Sequence, residues 1–129
     1  MGFLQPHTER IYAGLRILAG LMFMQHGLQK VFGLFGGTPN APDWIVWVAG
    51  PIELVGGALI AVGLFAAPAA FLSSGTMAVA YFMGHWMRTG DFFPILNKGE
   101  LAVLYCWVFL LIAARGSGIW SVDATRRRE

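Results

Sequence analysis

The chain has 129 residues, 57% of them hydrophobic and 12% charged, with a mean hydropathy of +0.61 and a formal net charge of +2. That balance lies outside the range of soluble domains and predicts one integral membrane domain over residues 1–129, with the lipid bilayer as its first partner. A single cysteine, Cys106, excludes an intrachain disulfide, a C-x-x-C redox pair and a cysteine-based metal cluster, and no aromatic-basic module points to nucleic acid.

Met1 to His7 form a short leading segment, and Thr8 with Glu9 read as a hydroxyl cap and a first-turn acid opening a helix. The first span covers about residues 9–33, because roughly 20 apolar residues at about 1.5 Å each match the hydrocarbon thickness. It is too long for a signal peptide, and no small-x-small cleavage pattern follows it. Arg16, His26 and Lys30 interrupt it. On a helical wheel Arg16 and Lys30 fall roughly 40° apart and His26 another 40° on, with Ala19, Gly20 and Gly27 on the same arc. Ionisable groups are costly in lipid and small residues let helices approach, so this face is expected to meet partner helices. For Arg16 and Lys30, snorkelling to the two headgroup layers competes with that reading.

Residues 33–43, rich in glycine and proline, form a loop with Asp43 as cap candidate, and a second span covers about 44–65. Glu53 stands near its middle with Ala49, Gly50, Gly56 and Gly57 around it. It is either a structural partner of Arg16 or Lys30 or a proton-accepting group beside a ligand. Pro51 is expected to kink this helix and release the Trp47 carbonyl. A very tight turn, with Pro68 in the first turn of the next helix, leads to a third span at about 67–88. There Ser74, Ala78, Tyr81, His85 and Arg88 form a polar stripe; an interface hydrogen bond is the simplest account of His85, and packing that of Tyr81.

The second long loop contains N-K-G-E, in which Asn97 and Glu100 have the spacing of a capping box for a fourth span at about 98–115. Cys106 reads as a small buried hydrophobe. Gly116 suits a helix stop, Trp120 the headgroup layer, and Arg126, Arg127 and Arg128 an anionic lipid surface. The expected architecture is all-α, a four-transmembrane-helix bundle. Arg10, Arg115 and the arginine tail on one side outweigh Lys30, Arg88 and Lys98 on the other, which favours cytoplasmic termini.

His26, Lys30, Glu53, His85 and Glu100 all fall in the loop-side half, so a shared polar pocket follows if the stripes converge, with Arg16, Tyr81 and Asn97 in support. Metal binding and paired haem ligation by His26 and His85 are weak alternatives, because no close H-x-x-x-H or E-x-x-H spacing is present.

Arg16 followed by H-G-x-x-K (His26, Gly27, Lys30) and F-G (Phe32, Gly33), Glu53 with its glycines, F-P-x-x-N-x-G-E (Phe93 to Glu100) and G-x-G-x-x-S-V-D (Gly116 to Asp123) together resemble the DoxX family of small bacterial membrane proteins. The resemblance implies a four-helix bundle of the bacterial inner membrane, with related proteins serving as membrane subunits of a thiosulfate:quinone oxidoreductase. It carries over no catalytic residue. Two readings stand on it: a quinone-interacting subunit, in which His26 or His85 bonds a quinone oxygen, Glu53 or Glu100 exchanges protons and a partner subunit supplies electrons; or a non-enzymatic scaffold or small-solute carrier whose buried charges fix the bundle. The glycine-rich faces are compatible with a homo-oligomer.

Overall fold

The structure, a computed structural model, describes residues 1–127; Arg128, the last residue of the expected basic tail, lies outside them. The chain is 79% helical, without strands among the described residues. Its elements are α1 (Thr8–Phe32), α2 (Ile45–Val62), α3 (Ala66–Thr89), α4 (Pro94–Asn97), α5 (Glu100–Arg115) and α6 (Val122–Arg126), with 3-10 turns at Gln5–His7 and Leu34–Gly36.

Local chemistry accounts for the boundaries, with two departures from expectation. The turn at Gln5–His7 runs directly into α1, so Thr8 lies inside the helix and its hydroxyl donates to the Gln5 carbonyl (2.8 Å) instead of capping. Asp43 is likewise already helical: the N–H groups of Ile45 and Val46 reach back to Pro42 O. The strain expected at Pro51 is absorbed one turn earlier, where Ile45–Ala49 widens into a π-helical turn. A proline ring crowds the carbonyl four residues before it, and a wider turn relieves the contact. The tight connection between α2 and α3 forms as its composition requires. Gly63 takes φ 74°, Leu64 N–H bonds Leu59 O (3.0 Å), and Pro68 sits in the first turn of α3.

Helix α1 packs on α2 and α3 on α5, and the two pairs join through α2–α3 contacts and a shared aromatic core. Phe23 of α1 stands 4.7 Å from the Phe109 ring and 5.3 Å from that of Tyr105, which stack on each other at 3°. Ile60, Ala70, Met77, Ala102 and Ile112 complete the core.

The outside is apolar too. Leu18, Val55, Phe71 and Leu104, one from each long helix, are more than half exposed. Among the described residues two helices are long and apolar enough to cross a membrane: α2, with mean hydropathy 2.0, and α3, with 1.3. Helix α5 has 16 residues, about 24 Å of rise, and the polarity of α1 is raised by Arg16, Gln25, His26 and Lys30.

Candidate functional site

Glycine decides how the charged face of α1 meets α2. A Cβ placed on Gly57 would stand 2.5 Å from Met24 N and 2.7 Å from Gly20 O, and one on Gly20 would stand 2.5 Å from Ala61 N. Only hydrogens fit between these backbones. One turn further on, Gly27 lies against Leu54 in the same way. The close approach brings Lys30 onto Glu53. Lys30 Nζ donates to Glu53 Oε1 (3.1 Å) and lies 2.9 Å from Oε2, off the direction of a hydrogen bond, so Oε2 has no hydrogen-bond partner. Glu53 is 3% exposed.

Tyr105 completes this buried group. It belongs to the face of α5 made by Ala102, Tyr105, Phe109 and Ile112, and its hydroxyl, close enough for the Glu53 charge to act on it, is buried without a hydrogen-bond partner. His26 meets the Tyr105 ring edge-on, 6.1 Å between centroids. On its other side it lines a cavity of about 180 Å³ with Gln25, Gln29 and Phe35. Phe35 borders the recess from a left-handed backbone (φ 53°), its carbonyl accepting from Gln29 Nε2 (3.3 Å). His26 therefore stands between a polar recess at the loop end of α1 and the buried tyrosine.

His85 and Glu100 do not join this group. The expected capping box is absent: Gly99 is the residue before α5, and Glu100 is exposed. Asn97 is buried on other duties. Its Oδ1 accepts from Gly99 N (2.8 Å), and its Nδ2 donates to Asp91 O (2.9 Å) and to the Tyr81 hydroxyl (3.3 Å). Tyr81 donates to Phe92 O, and His85 Nδ1–H donates to Asn97 O (3.1 Å), since a carbonyl only accepts. The short helix α4 between α3 and α5 intercepts the polar stripe of α3, which organises the second loop. The recess that His26 lines includes neither Glu53 nor His85.

Arg16 does not snorkel. It is fully buried, and its guanidinium donates from Nε to Ile60 O (3.1 Å), from Nη1 to Ser117 O and Ile119 O (3.0 Å) and from Nη2 to Trp120 O (2.7 Å). Carbonyls released where α5 ends at Gly116 (φ 90°) supply what water would have supplied. The closing G-x-G-x-x-S-V-D stretch then locks onto the α2–α3 turn. Asp123 accepts from Phe65 N (3.0 Å), Ala66 N (3.3 Å) and the Ser117 hydroxyl, while its own N–H donates to Gly63 O (2.9 Å). Asp123 thus caps α3 from 57 residues further along the chain. Sequence reasoning quoted Ser121 and Asp123 as motif positions without assigning them this role. It passed over Tyr105, although a hydroxyl on the buried stripe of α5 was the available signal.

The profile of the DoxX family matches residues 11–86, which include Arg16, His26, Lys30, Glu53 and His85. The chain belongs to the DoxX family. It is thereby a membrane protein. Among similar proteins, a Haemophilus influenzae protein named "Uncharacterized protein" is 41% identical over 128 residues, 95% of this chain and 96% of its own. A Bacillus subtilis protein named "Putative oxidoreductase CatD" is 38% identical over 114 residues, 84% of this chain and 81% of its own. No solved structure matches the chain.

Proposed function

We propose that this DoxX protein is a quinone-interacting accessory subunit of a membrane redox system, with its site at His26, Lys30, Glu53 and Tyr105. The observation that carries the reading is the Tyr105 hydroxyl, buried without a hydrogen-bond partner near the buried Lys30–Glu53 ion pair. Buried polar groups are almost always satisfied, so a hydroxyl left over near a buried charge pair fits a missing polar ligand. The name borne by the Bacillus subtilis relative points to oxidoreduction as well.

A bound quinone supplies reversible uptake of electrons and protons, the electrons coming from a partner subunit. The Tyr105 hydroxyl and a His26 N–H are the donors for a carbonyl oxygen. Glu53, held by Lys30, is the group to which a proton passes, and the recess beside His26 is the route to the loop side. His85 serves this reading only by holding the second loop through Asn97 O, and Glu100, exposed at the start of α5, has no part in it.

The reading treats residues 1–129 as one domain of four spans in the bacterial inner membrane, both termini cytoplasmic. The exposed apolar residues on all four long helices support it, as does the excess of arginine at the end where the chain begins and closes. Purified protein in lipid nanodiscs is expected to bind a quinone analogue, and Glu53→Gln to weaken that binding at least several-fold. The second reading, a scaffold or small-solute carrier, draws on the close Lys30–Glu53 contact and the four carbonyls that hold Arg16. Under it, Glu53→Gln lowers the melting temperature and leaves quinone binding untouched.

A further inference from the structure

The outer side of α1 carries an amide where its neighbours are apolar. Ile11, Leu18, Gln25 and Phe32 follow one another at intervals of seven residues, and all four are exposed. Gly14 and Leu21, three residues after the first two, are exposed along the same line. A seven-residue repeat places side chains along one seam of a helix, and a single polar side chain on such a seam fixes register and the number of copies joined. Gln25 is that polar position. Among the described residues its side chain makes no hydrogen bond, whereas Gln29, one turn on, donates to Phe35 O (3.3 Å).

Depth decides what the amide meets. The 25 residues of α1 rise about 37 Å, more than the ~30 Å of hydrocarbon, and Gln25 stands about 7.5 Å past the midpoint at Gly20. Acyl chains offer an amide nothing at that depth, so another protein surface is the cover that satisfies it. The opposite face of α1 is already taken, since Gly20 and Gly27 lie against α2. Two copies in one membrane share an orientation, so their two-fold axis runs along the membrane normal and each seam residue meets its own counterpart at the same level. A charge there would repel itself. An amide is its own complement, its N–H group and its oxygen pairing with the oxygen and N–H group of a second glutamine. The recess beside His26 points the same way. Its lining residues Gln25, His26, Gln29 and Phe35 all belong to α1 or the turn after it, so a second copy supplies the facing wall.

We propose that the chain forms a parallel homodimer along the outer face of α1, with the two Gln25 amides paired across the axis and Ile11, Leu18 and Phe32 packed above and below them. The dimer walls the recess beside His26 off from the acyl chains. This inference rests on the four-span reading above and on no ligand.

The test uses the full-length protein in phosphatidylethanolamine–phosphatidylglycerol vesicles, with Cys106→Ala as background. Leu18→Cys, on the seam, is expected to give a disulfide-linked dimer under mild oxidation, and Leu104→Cys, exposed on α5, to stay unlinked. Gln25→Leu is expected to weaken dimerisation about three- to tenfold in an energy-transfer dilution series, the size of interhelical hydrogen bonds in lipid, while its circular dichroism stays that of the wild type. A dimer as tight in Gln25→Leu as in the wild type, or one linked through Leu104→Cys and not Leu18→Cys, overturns the proposal. So does a monomeric wild type, which leaves water or a different protein as the cover of Gln25. If Leu18→Cys reacts with a membrane-impermeant maleimide in intact vesicles, α1 lies outside the hydrocarbon and the four-span reading falls with the dimer. A wild type that dimerises through Gln25 and binds no quinone analogue upholds the dimer and removes the redox reading.

Discussion

Arg16 shows how a single residue can be buried at full charge. Among the described residues the guanidinium has no close carboxylate partner; Asp123 acts on it at longer range, and four backbone carbonyls take its protons directly. Removing it leaves those carbonyls orphaned around a cavity, so Arg16→Ala is expected to cost about 3 kcal/mol or more, read as a lower melting temperature in detergent. Arg16→Lys recovers only part, because an ammonium cannot reach carbonyls spread across the width of a guanidinium. The sequence made the inward face of Arg16, Gly20 and Gly27 legible by helical spacing alone. It could not name the partners of Arg16, because three of the four carbonyls come from residues 117–120, a hundred positions away, and a carbonyl leaves no trace in residue type.

Among the elements, the contact of α1 with α2 carries the most information. Gly57→Ala forces a methyl against Met24 N and is expected to destabilise the bundle by about 1–3 kcal/mol, the usual range for overpacking. Gly75→Ala, with open space at its Cβ, is expected to be neutral or to stabilise by up to about 1 kcal/mol through helix propensity. If both cost the same, the close packing of these two backbones is not what holds them. The Lys30–Glu53 pair is separable by a second comparison. Lys30→Met alone strands a buried carboxylate and is expected to cost about 3–5 kcal/mol, whereas Lys30→Met with Glu53→Leu recovers most of that loss. A double variant that melts like the wild type and no longer binds the quinone analogue would mark the pair as kept for function rather than for the fold. The hairpin of α2 and α3 was readable from its lack of polar linker, and the four helices from apolar runs. The capping box at Asn97 was misread because the same spacing serves a loop in which asparagine bonds Asp91, Tyr81 and Gly99.

At the scale of the whole molecule the polar chemistry separates to two ends. The loop end holds His26, Lys30, Glu53 and Tyr105, with the Asn97 network beside them; the other end holds the closing motif on Arg16 and the α2–α3 turn. Asp123 joins three elements there. Partial burial raises its carboxyl, but hydrogen bonds from Ser117 and from the backbone N–H of Phe65 and Ala66, together with Arg126, outweigh that and hold it below the usual carboxylate range. A group lowered on folding stabilises fully above its ordinary value near ~3.9 and stops doing so as pH falls through the lowered one. Melting temperature is therefore expected to drop as pH falls below about 4 in the wild type and to change less in Asp123→Asn, which starts lower at pH 7. Equal acid sensitivity in both would show that this carboxylate does not hold the end together. The sequence placed the helices in order but not the two clusters, since convergence of the polar stripes depended on α4, four residues that read as part of a loop.

The clamp on Arg16 also sets an order of assembly. Helix α1 leaves the ribosome carrying a cation whose acceptors at Ser117, Ile119 and Trp120 are made about a hundred residues later, so for roughly 5–20 s that helix waits with its guanidinium unsolvated by them. A nascent chain arrested before Ser117 should be cleared by quality-control proteases faster than one arrested after Asp123. The arrival of residues 117–123 is, in that sense, inspected by α1.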